Sequence, residues 1–129
     1  MQTNNHKEIP VYRQIIHYLK SGFEVLDESI QQEIIAFLDR QQHPDGGFTD
    51  RAGTPDLYYS LFGFWLSLAT KNQKLLEKFR NYISKQKEND SFGAVEQMAL
   101  LLINAELDQT QKKQSLFTLF KTVFLKGKR

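Results

Sequence analysis

The chain has 129 residues, 40% of them hydrophobic and 25% charged, with a formal net charge of +2 and no cysteine. Its length fits one domain, and its composition is that of a soluble globular protein, which predicts a cytoplasmic location. The charge is too small to predict nucleic-acid binding, no apolar run has the length of a membrane span, and the lack of cysteine excludes disulfides and thiolate metal sites.

The first two predicted helices follow from a period of 3.6 residues in a region without alternating β-branched runs. The first is predicted to begin near Pro10 and to end at Gly22. The second is predicted to begin at Asp27, whose side chain can cap it, and to end before Pro44 and the glycines that follow. The predicted core-facing residues of the two helices are Tyr12, Ile15, Ile16, Leu19, Ile30, Ile34, Phe37 and Leu38.

The third predicted helix has the clearest start, with Thr54 as its N-cap, Pro55 at the first helical position and Asp56 in the first turn. Residues 57–68 are apolar almost all round, which predicts a helix surrounded by protein. Gly63 lies inside this helix, where glycine costs about 1 kcal/mol relative to alanine. Its presence predicts the close approach of a neighbouring helix or of a ligand.

Three more helices are predicted in the second half of the chain. The segments 72–87 and 109–126 are amphipathic, whereas the segment 94–106 between them is strongly apolar. Amphipathic helices thus alternate with buried ones. This alternation predicts an all-α fold of about six helices, arranged as three helical hairpins in two layers.

An internal repeat accompanies these helices. The segment "FLDRQQHPD" at 37–45 is similar to "YISKQKEND" at 82–90, 45 residues later, and each is followed by glycine and phenylalanine. A helix pair that recurs with a period in the forties predicts a single helical-repeat domain over residues 1–129. The alternative is a chance similarity between two amphipathic helix ends.

The region between the second and third helices contains Gln41, then Asp45-Gly46-Gly47-Phe48, and then the sequence DLYYS at 56–60, which leads into an apolar helix. This arrangement resembles the repeat of the prenyltransferase β-subunit and squalene–terpene cyclase superfamily. The resemblance is strong over residues 34–70, and a degraded second copy covers 82–107. The resemblance implies an α/α toroid, in which an outer helix, a DGGF-type turn and an inner helix recur around a central cavity. A chain with three hairpins would form a partial toroid.

The residues of this motif also have a structural interpretation that does not depend on the resemblance. Asp-Gly favours a tight turn, and glycine adopts positive φ without strain. Phe48 can fill the gap between adjacent hairpins, while Gln41 and Asp45 can satisfy backbone groups at helix ends. We therefore predict structural roles for Gln41, Asp45, Gly46, Gly47 and Phe48, and a first-turn role for Asp56.

The set of catalytic residues found in the resembled enzymes is incomplete here. The zinc-dependent members hold the metal with aspartate, cysteine and histidine, and their aspartate and cysteine lie two positions apart at the start of an inner helix. In this chain Asp56 occupies the aspartate position, but Tyr58 stands where the cysteine would be, and no histidine follows His43. The acidic motifs of the cyclases, DxDD and DDxxD, are also absent. We therefore predict no catalytic residue, no metal and no cofactor.

The aromatic residues of the third helix are the remaining functional feature. The resemblance implies that such residues can line an apolar pocket around an isoprenoid chain. The residues predicted for this pocket are Tyr58, Tyr59, Phe62, Phe64 and Trp65. The alternative is that they only pack the core.

Three classes of function therefore stay open. The first is a non-catalytic partner or a module that binds a hydrophobic, isoprenoid-type ligand. The second is a prenyltransferase or cyclase whose site is completed by dimerisation, and the third is a plain protein-interaction repeat. Since a half-ring would leave apolar faces uncovered, the predicted partner is a second copy of the chain or another toroid-like protein.

Overall fold

The computed structural model describes residues 9–86 and 91–126, and its fold is all-α, as predicted. Within these ranges the chain forms helices and loops, with two isolated antiparallel bridges and no strand. Residues 87–90, which belong to the predicted second repeat copy (82–107), lie outside the described ranges. The helices are α1 (Val11–Glu24), α2 (Glu28–Gln41), α3 (Leu57–Ala69), α4 (Gln73–Ser84) and α5 (Ala94–Lys126).

Helix α3 is the centre of the structure, because α1, α2, α4 and α5 all pack against it. Eight of its thirteen residues are buried. This confirms the prediction, made from its all-round apolar sequence, of a helix surrounded by protein. The surrounding arrangement has two layers and is consistent with packed helical hairpins.

Helices α1 and α2 form a looser cover over α3 than the sequence predicts. α1 continues past Gly22, the predicted end, to Glu24, and none of its residues is fully buried. In α2 only Leu38 is fully buried, while Ile30 and Phe37 are exposed although we predicted them to face the core. The apolar sides of these two helices are therefore only partly covered.

Helix α4 closes the other side of α3. Asn72 caps its start, with Oδ1 accepting a hydrogen bond from Leu75 N at 3.3 Å. Its apolar face is buried against the rest of the core. Among the described residues, the largest fully buried apolar side chains come from α2, α3, α4 and α5: Phe64, Phe79, Leu38, Leu75 and Ile103.

The two last predicted helices form one continuous helix of 33 residues, α5. Both predicted segments are helical, but the break expected near residues 107–108 does not occur. Residues 106–109 contain neither glycine nor proline, so nothing in the local sequence ends the helix. The first part of α5 packs on α3 through Ala99, Leu100 and Ile103.

Candidate apolar binding site

The DGGF segment forms a tight turn between α2 and α3. Asp45 Oδ1 accepts a hydrogen bond from Gly47 N at 2.9 Å, and His43 N donates to Gly47 O at 2.8 Å. Gly46 has a φ of +104°, which disfavours side chains, whereas Gly47 does not have positive φ. The turn therefore requires positive φ at one glycine, instead of at both glycines as we predicted.

Phe48 connects this turn to α3. Its ring is 2% exposed and lies directly on Gly63, where a Cβ atom would overlap it. Its backbone is also held, since Phe48 N donates to Ser60 Oγ at 2.9 Å and Asp56 N donates to Phe48 O at 3.1 Å. Gly63 thus permits a close approach, as predicted, but what approaches is the ring of Phe48 rather than a helix or a ligand.

The neighbour of Gln41 makes a connection that we did not predict. Gln42 Nε2 donates to Gly46 O at 3.0 Å and to Leu75 O at 2.9 Å, and so joins the turn to α4. Gln41 contributes its backbone oxygen, which accepts from Thr49 N at 2.9 Å. The Gln42 side chain therefore satisfies backbone oxygens of the turn and of α4. The Gln41 side chain, for which we predicted a backbone partner, accepts a hydrogen bond from Thr49 Oγ1 at 3.4 Å instead. The sequence carried no signal for Gln42, because its partner in α4 is 33 residues away.

The ring of Tyr82, in α4, packs against Gly47 of the same turn. A Cβ atom on Gly47 would come within 2.8 Å of its ring, and the tyrosine is 6% exposed. Burial raises the pKa of the Tyr82 hydroxyl, the negative charges of Asp45 and Asp56 raise this pKa further, and a hydrogen bond with Ser60 opposes the shift. The folded protein therefore favours the neutral phenol.

This shift predicts a loss of stability in alkaline solution. Because the pKa of Tyr82 is higher in the folded protein than its ordinary value of 10.0, the unfolded chain releases the proton at lower pH. The unfolded state then binds fewer protons, and the free energy of unfolding falls as pH rises through 10.0 and above. We expect Tyr82→Phe to make this fall shallower when urea unfolding is measured at a series of pH values from neutral to alkaline. Equal slopes for Tyr82→Phe and the wild type would contradict this reading of the turn.

The N-cap of α3 is Asp56, whereas we predicted Thr54. Asp56 Oδ1 accepts hydrogen bonds from Tyr58 N at 2.8 Å and from Tyr59 N at 3.1 Å. The carboxylate therefore satisfies two of the free amides at the start of the helix. Among the described residues, no group of three or more histidine, cysteine, aspartate or glutamate side chains is placed to hold a metal ion.

The capping role of Asp56 predicts a moderate effect on stability. Asp56→Ala should lower the free energy of unfolding by about 1 kcal/mol, and Asp56→Asn, which keeps an acceptor oxygen, should lower it by less. Chemical denaturation of the three proteins measures both values. Under the enzyme alternative, Asp56→Ala would also abolish activity, in addition to this loss of stability.

The five aromatic residues predicted for a pocket lie on different sides of α3. Phe64 and Trp65 are buried in the core, while Tyr58, Tyr59 and Phe62 are 45%, 40% and 43% exposed. Tyr58 makes edge-to-face contacts with the rings of Tyr59 and Phe62, at centroid distances of 5.7 Å and 5.1 Å. These three rings form an aromatic surface on an otherwise buried helix.

A pocket of about 280 Å³ lies beside this surface, between α2, α3 and the loop that joins them. Its volume lies just below the range that is usual for small-molecule sites, about 300–1,000 Å³. Tyr59 and Phe62 line it, and Tyr58 does not. Its apolar lining residues are Phe37, Leu38, Phe48, Tyr59, Phe62, Gly63 and Leu66.

The polar lining of the pocket comes from the end of α2 and from the loop. Gln41, Thr49, Asp50 and Arg51 contribute to it. Asp50 Oδ1 already accepts hydrogen bonds from Ala52 N at 2.8 Å and from Thr54 N at 3.0 Å, so this carboxylate has a role in the loop. One acidic and one basic side chain at the pocket balance each other in charge.

Comparison of the chain with protein-family models, with curated proteins and with solved structures finds no match. Over the described ranges, no helix has both the length and the apolar character needed to cross a membrane. The assignment of a function therefore depends on the geometry of the site and on the motif residues themselves.

Proposed function

We propose that this chain is a non-catalytic, prenyltransferase-like helical module that binds an apolar, isoprenoid-type ligand in the pocket between α2 and α3. The observation that carries the proposal is the position of Tyr59 and Phe62. They are partly exposed on the central, otherwise buried helix and line a concave site with the rings of Phe37 and Phe48. Aromatic and aliphatic walls of this kind suit an apolar chain.

The charges at the pocket favour a neutral ligand. A diphosphate needs several cationic groups or a metal ion for its charge, and the pocket lining supplies Arg51 alone, opposed by Asp50. Asp56, the aspartate that the resemblance would assign to a metal, caps α3 instead. A prenyl alcohol or a prenyl chain attached to another molecule fits this lining better than a prenyl diphosphate.

The resemblance to the prenyltransferase and cyclase repeat supports the same ligand class. In that superfamily the inner helix that follows the DGGF-type turn faces the cavity, and α3 is the helix in that position here. The proposal therefore assigns the exposed rings of α3 to the cavity side of a partial toroid and gives the DGGF turn only a structural role.

Titration of the purified chain with geraniol, followed by calorimetry, tests the proposal. We expect saturable binding that Tyr59→Ser weakens by about tenfold, the loss that follows from removing one buried aromatic contact of about 1.4 kcal/mol. Tyr58→Ser is the matched control, because Tyr58 is the same residue type, adjacent in α3 and similarly exposed, but outside the pocket.

Geranyl diphosphate, with and without Mg²⁺ or Zn²⁺, separates the proposal from the enzyme alternative. The proposal predicts that the alcohol binds at least as tightly as the diphosphate and that metal has no effect. Tighter, metal-dependent binding of the diphosphate would favour an enzyme. Absence of binding by either compound would favour a plain protein-interaction repeat, and equal losses in Tyr58→Ser and Tyr59→Ser would place the ligand on the aromatic surface outside the pocket.

A further inference from the structure

The far side of α5 carries an apolar stripe that the core does not use. We define the stripe by seven side chains, each between 58% and 68% exposed: Val95, Met98, Leu101, Leu116, Leu119, Phe120 and Val123. Val95, Met98 and Leu101 are three residues apart, and the other four lie within residues 116–123. At 3.6 residues per turn both groups fall on the same side of α5, although 15 residues separate Leu101 from Leu116. Ala99, Leu100 and Ile103, which face the core, are buried. The stripe therefore points away from the rest of the molecule.

The two ends of the stripe are separated by a whole number of heptads, the seven-residue repeat of helices that pair in coiled coils. Val95 and Leu116 are 21 residues apart, as are Met98 and Leu119, and this is three heptads. α5 has 33 residues, and a helix of that length extends about 50 Å. Such a long helix with an apolar stripe in water is of the kind that pairs with another helix.

The stripe also matches itself when the helix is reversed. If a second copy of α5 runs antiparallel and its midpoint, between residues 108 and 109, lies opposite that of the first, Leu101 of one copy lies opposite Leu116 of the other. Met98 then lies opposite Leu119 in the same way. Val95 then falls one residue from Val123. A surface that is its own complement in this arrangement is the kind that two identical chains use around a two-fold axis.

The charges of α5 favour the same antiparallel orientation. Residues 94–111 contain Glu96, Glu106 and Asp108 and no lysine or arginine, whereas residues 112–126 contain four lysines and no acidic residue. Glu106 is engaged inside the molecule, with Arg13 Nε 3.3 Å from its Oε2, and Glu96 Oε2 accepts a hydrogen bond from Gly93 N at 2.7 Å, whereas Asp108 is exposed to solvent. Two copies side by side in parallel would align like charges, and two antiparallel copies align the acidic half of one with the basic half of the other.

We propose that the stripe on α5 is a homodimer interface, in which α5 of one copy packs antiparallel against α5 of a second copy. A second copy is the partner that three features of α5 favour. The helix has an exposed apolar stripe, the stripe matches itself in an antiparallel pair, and the helix is divided into an acidic and a basic half. The interface lies on α5, and the pocket lies between α2 and α3, so dimerisation and ligand binding are separate properties. A negative result for the dimer would therefore not count against ligand binding, and a negative result for ligand binding would not count against the dimer.

Sedimentation equilibrium of the full chain over a wide concentration range tests whether the dimer forms. We expect a mass that rises from 15.1 kDa towards twice that value with concentration. Leu119→Asp should raise the dimer dissociation constant by at least about tenfold, because it places a charge in the seam of both copies. Asn104→Asp, at an exposed position of α5 outside the stripe, is the control.

Cross-linking tests the orientation, because the chain has no cysteine of its own. In an antiparallel pair the two Met98 positions are about 30 Å apart, from 21 residues at 1.5 Å each. A short bismaleimide should therefore not link Met98→Cys to itself, but it should link Met98→Cys to Leu119→Cys when the two proteins are mixed.

Three results would overturn the proposal. The first is a wild-type chain that stays monomeric at every concentration. The second is equal dissociation by Leu119→Asp and Asn104→Asp, and the third is efficient self-linking of Met98→Cys, which indicates a parallel pair. Circular dichroism of each variant confirms that it is folded, so that a negative result counts against the interface rather than against folding.

Discussion

Phe48→Ala is expected to lower the free energy of unfolding by about 3–5 kcal/mol, the range for removing a buried phenylalanine. Phe48 is 2% exposed, its ring fills the space that Gly63 leaves on α3, and it packs against Phe79 of α4 at a centroid distance of 5.9 Å. Alanine would leave a cavity between the turn, α3 and α4. Relative to a total stability of about 5–15 kcal/mol for a domain, this is a large fraction.

Phe62→Ala is the matched control for Phe48→Ala. Phe62 is the same residue type and lies one position before Gly63, but it is 43% exposed. Its truncation should therefore cost about 1 kcal/mol. Urea unfolding of both variants, with the melting temperature as a second measure, compares the two losses. Similar losses would mean that Phe48 does not hold the turn to the core.

Gly46→Ala is expected to lower the free energy of unfolding by about 3 kcal/mol, from two causes. A side chain at the Gly46 φ of +104° is strained, by about 1–3 kcal/mol. In addition, a Cβ atom at this position would overlap the backbone carbonyl oxygen of Lys78 in α4. A backbone group inside a helix cannot move aside as the end of a flexible side chain can, so the turn or α4 must shift.

Gly53→Ala separates these two causes. Gly53 also has positive φ, +83°, but nothing lies within 4 Å of a Cβ atom built there. The substitution should therefore cost only the backbone strain, about 1–2 kcal/mol. The difference between the two variants in chemical denaturation measures the contact between the DGGF turn and α4. If Gly53→Ala costs as much as Gly46→Ala, that contact contributes nothing to stability.

Much of the fold could be predicted from local features of the sequence. The all-round apolar character of residues 57–68 predicted the central helix, and the glycine pair after Pro44 predicted the turn. Other features depend on what lies nearby in space. Phe37 has the spacing of a core residue in α2, yet it remains 49% exposed, because a periodic pattern gives the apolar side of a helix but not the area of its neighbour.

The site was only partly predictable for the same reason. α3 has no polar face, so its sequence could not tell which of its aromatic residues face the core and which face solvent. The structure places Phe64 and Trp65 in the core and Tyr59 and Phe62 at the pocket. The contacts of Gln42 with Leu75 and of Tyr82 with the turn join residues more than 30 positions apart. No local pattern reports such contacts.

Native mass spectrometry of the purified wild-type chain tests whether it is a binding module or an enzyme. The spectrum reports bound metal, bound organic molecules and the number of copies together. A non-catalytic module predicts a metal-free chain that carries a small apolar molecule, and it predicts that this adduct disappears in Tyr59→Ser but persists in Tyr58→Ser. A chain that retains a stoichiometric zinc or magnesium ion, and that loses it when Asp56 is replaced by alanine, would contradict the proposal.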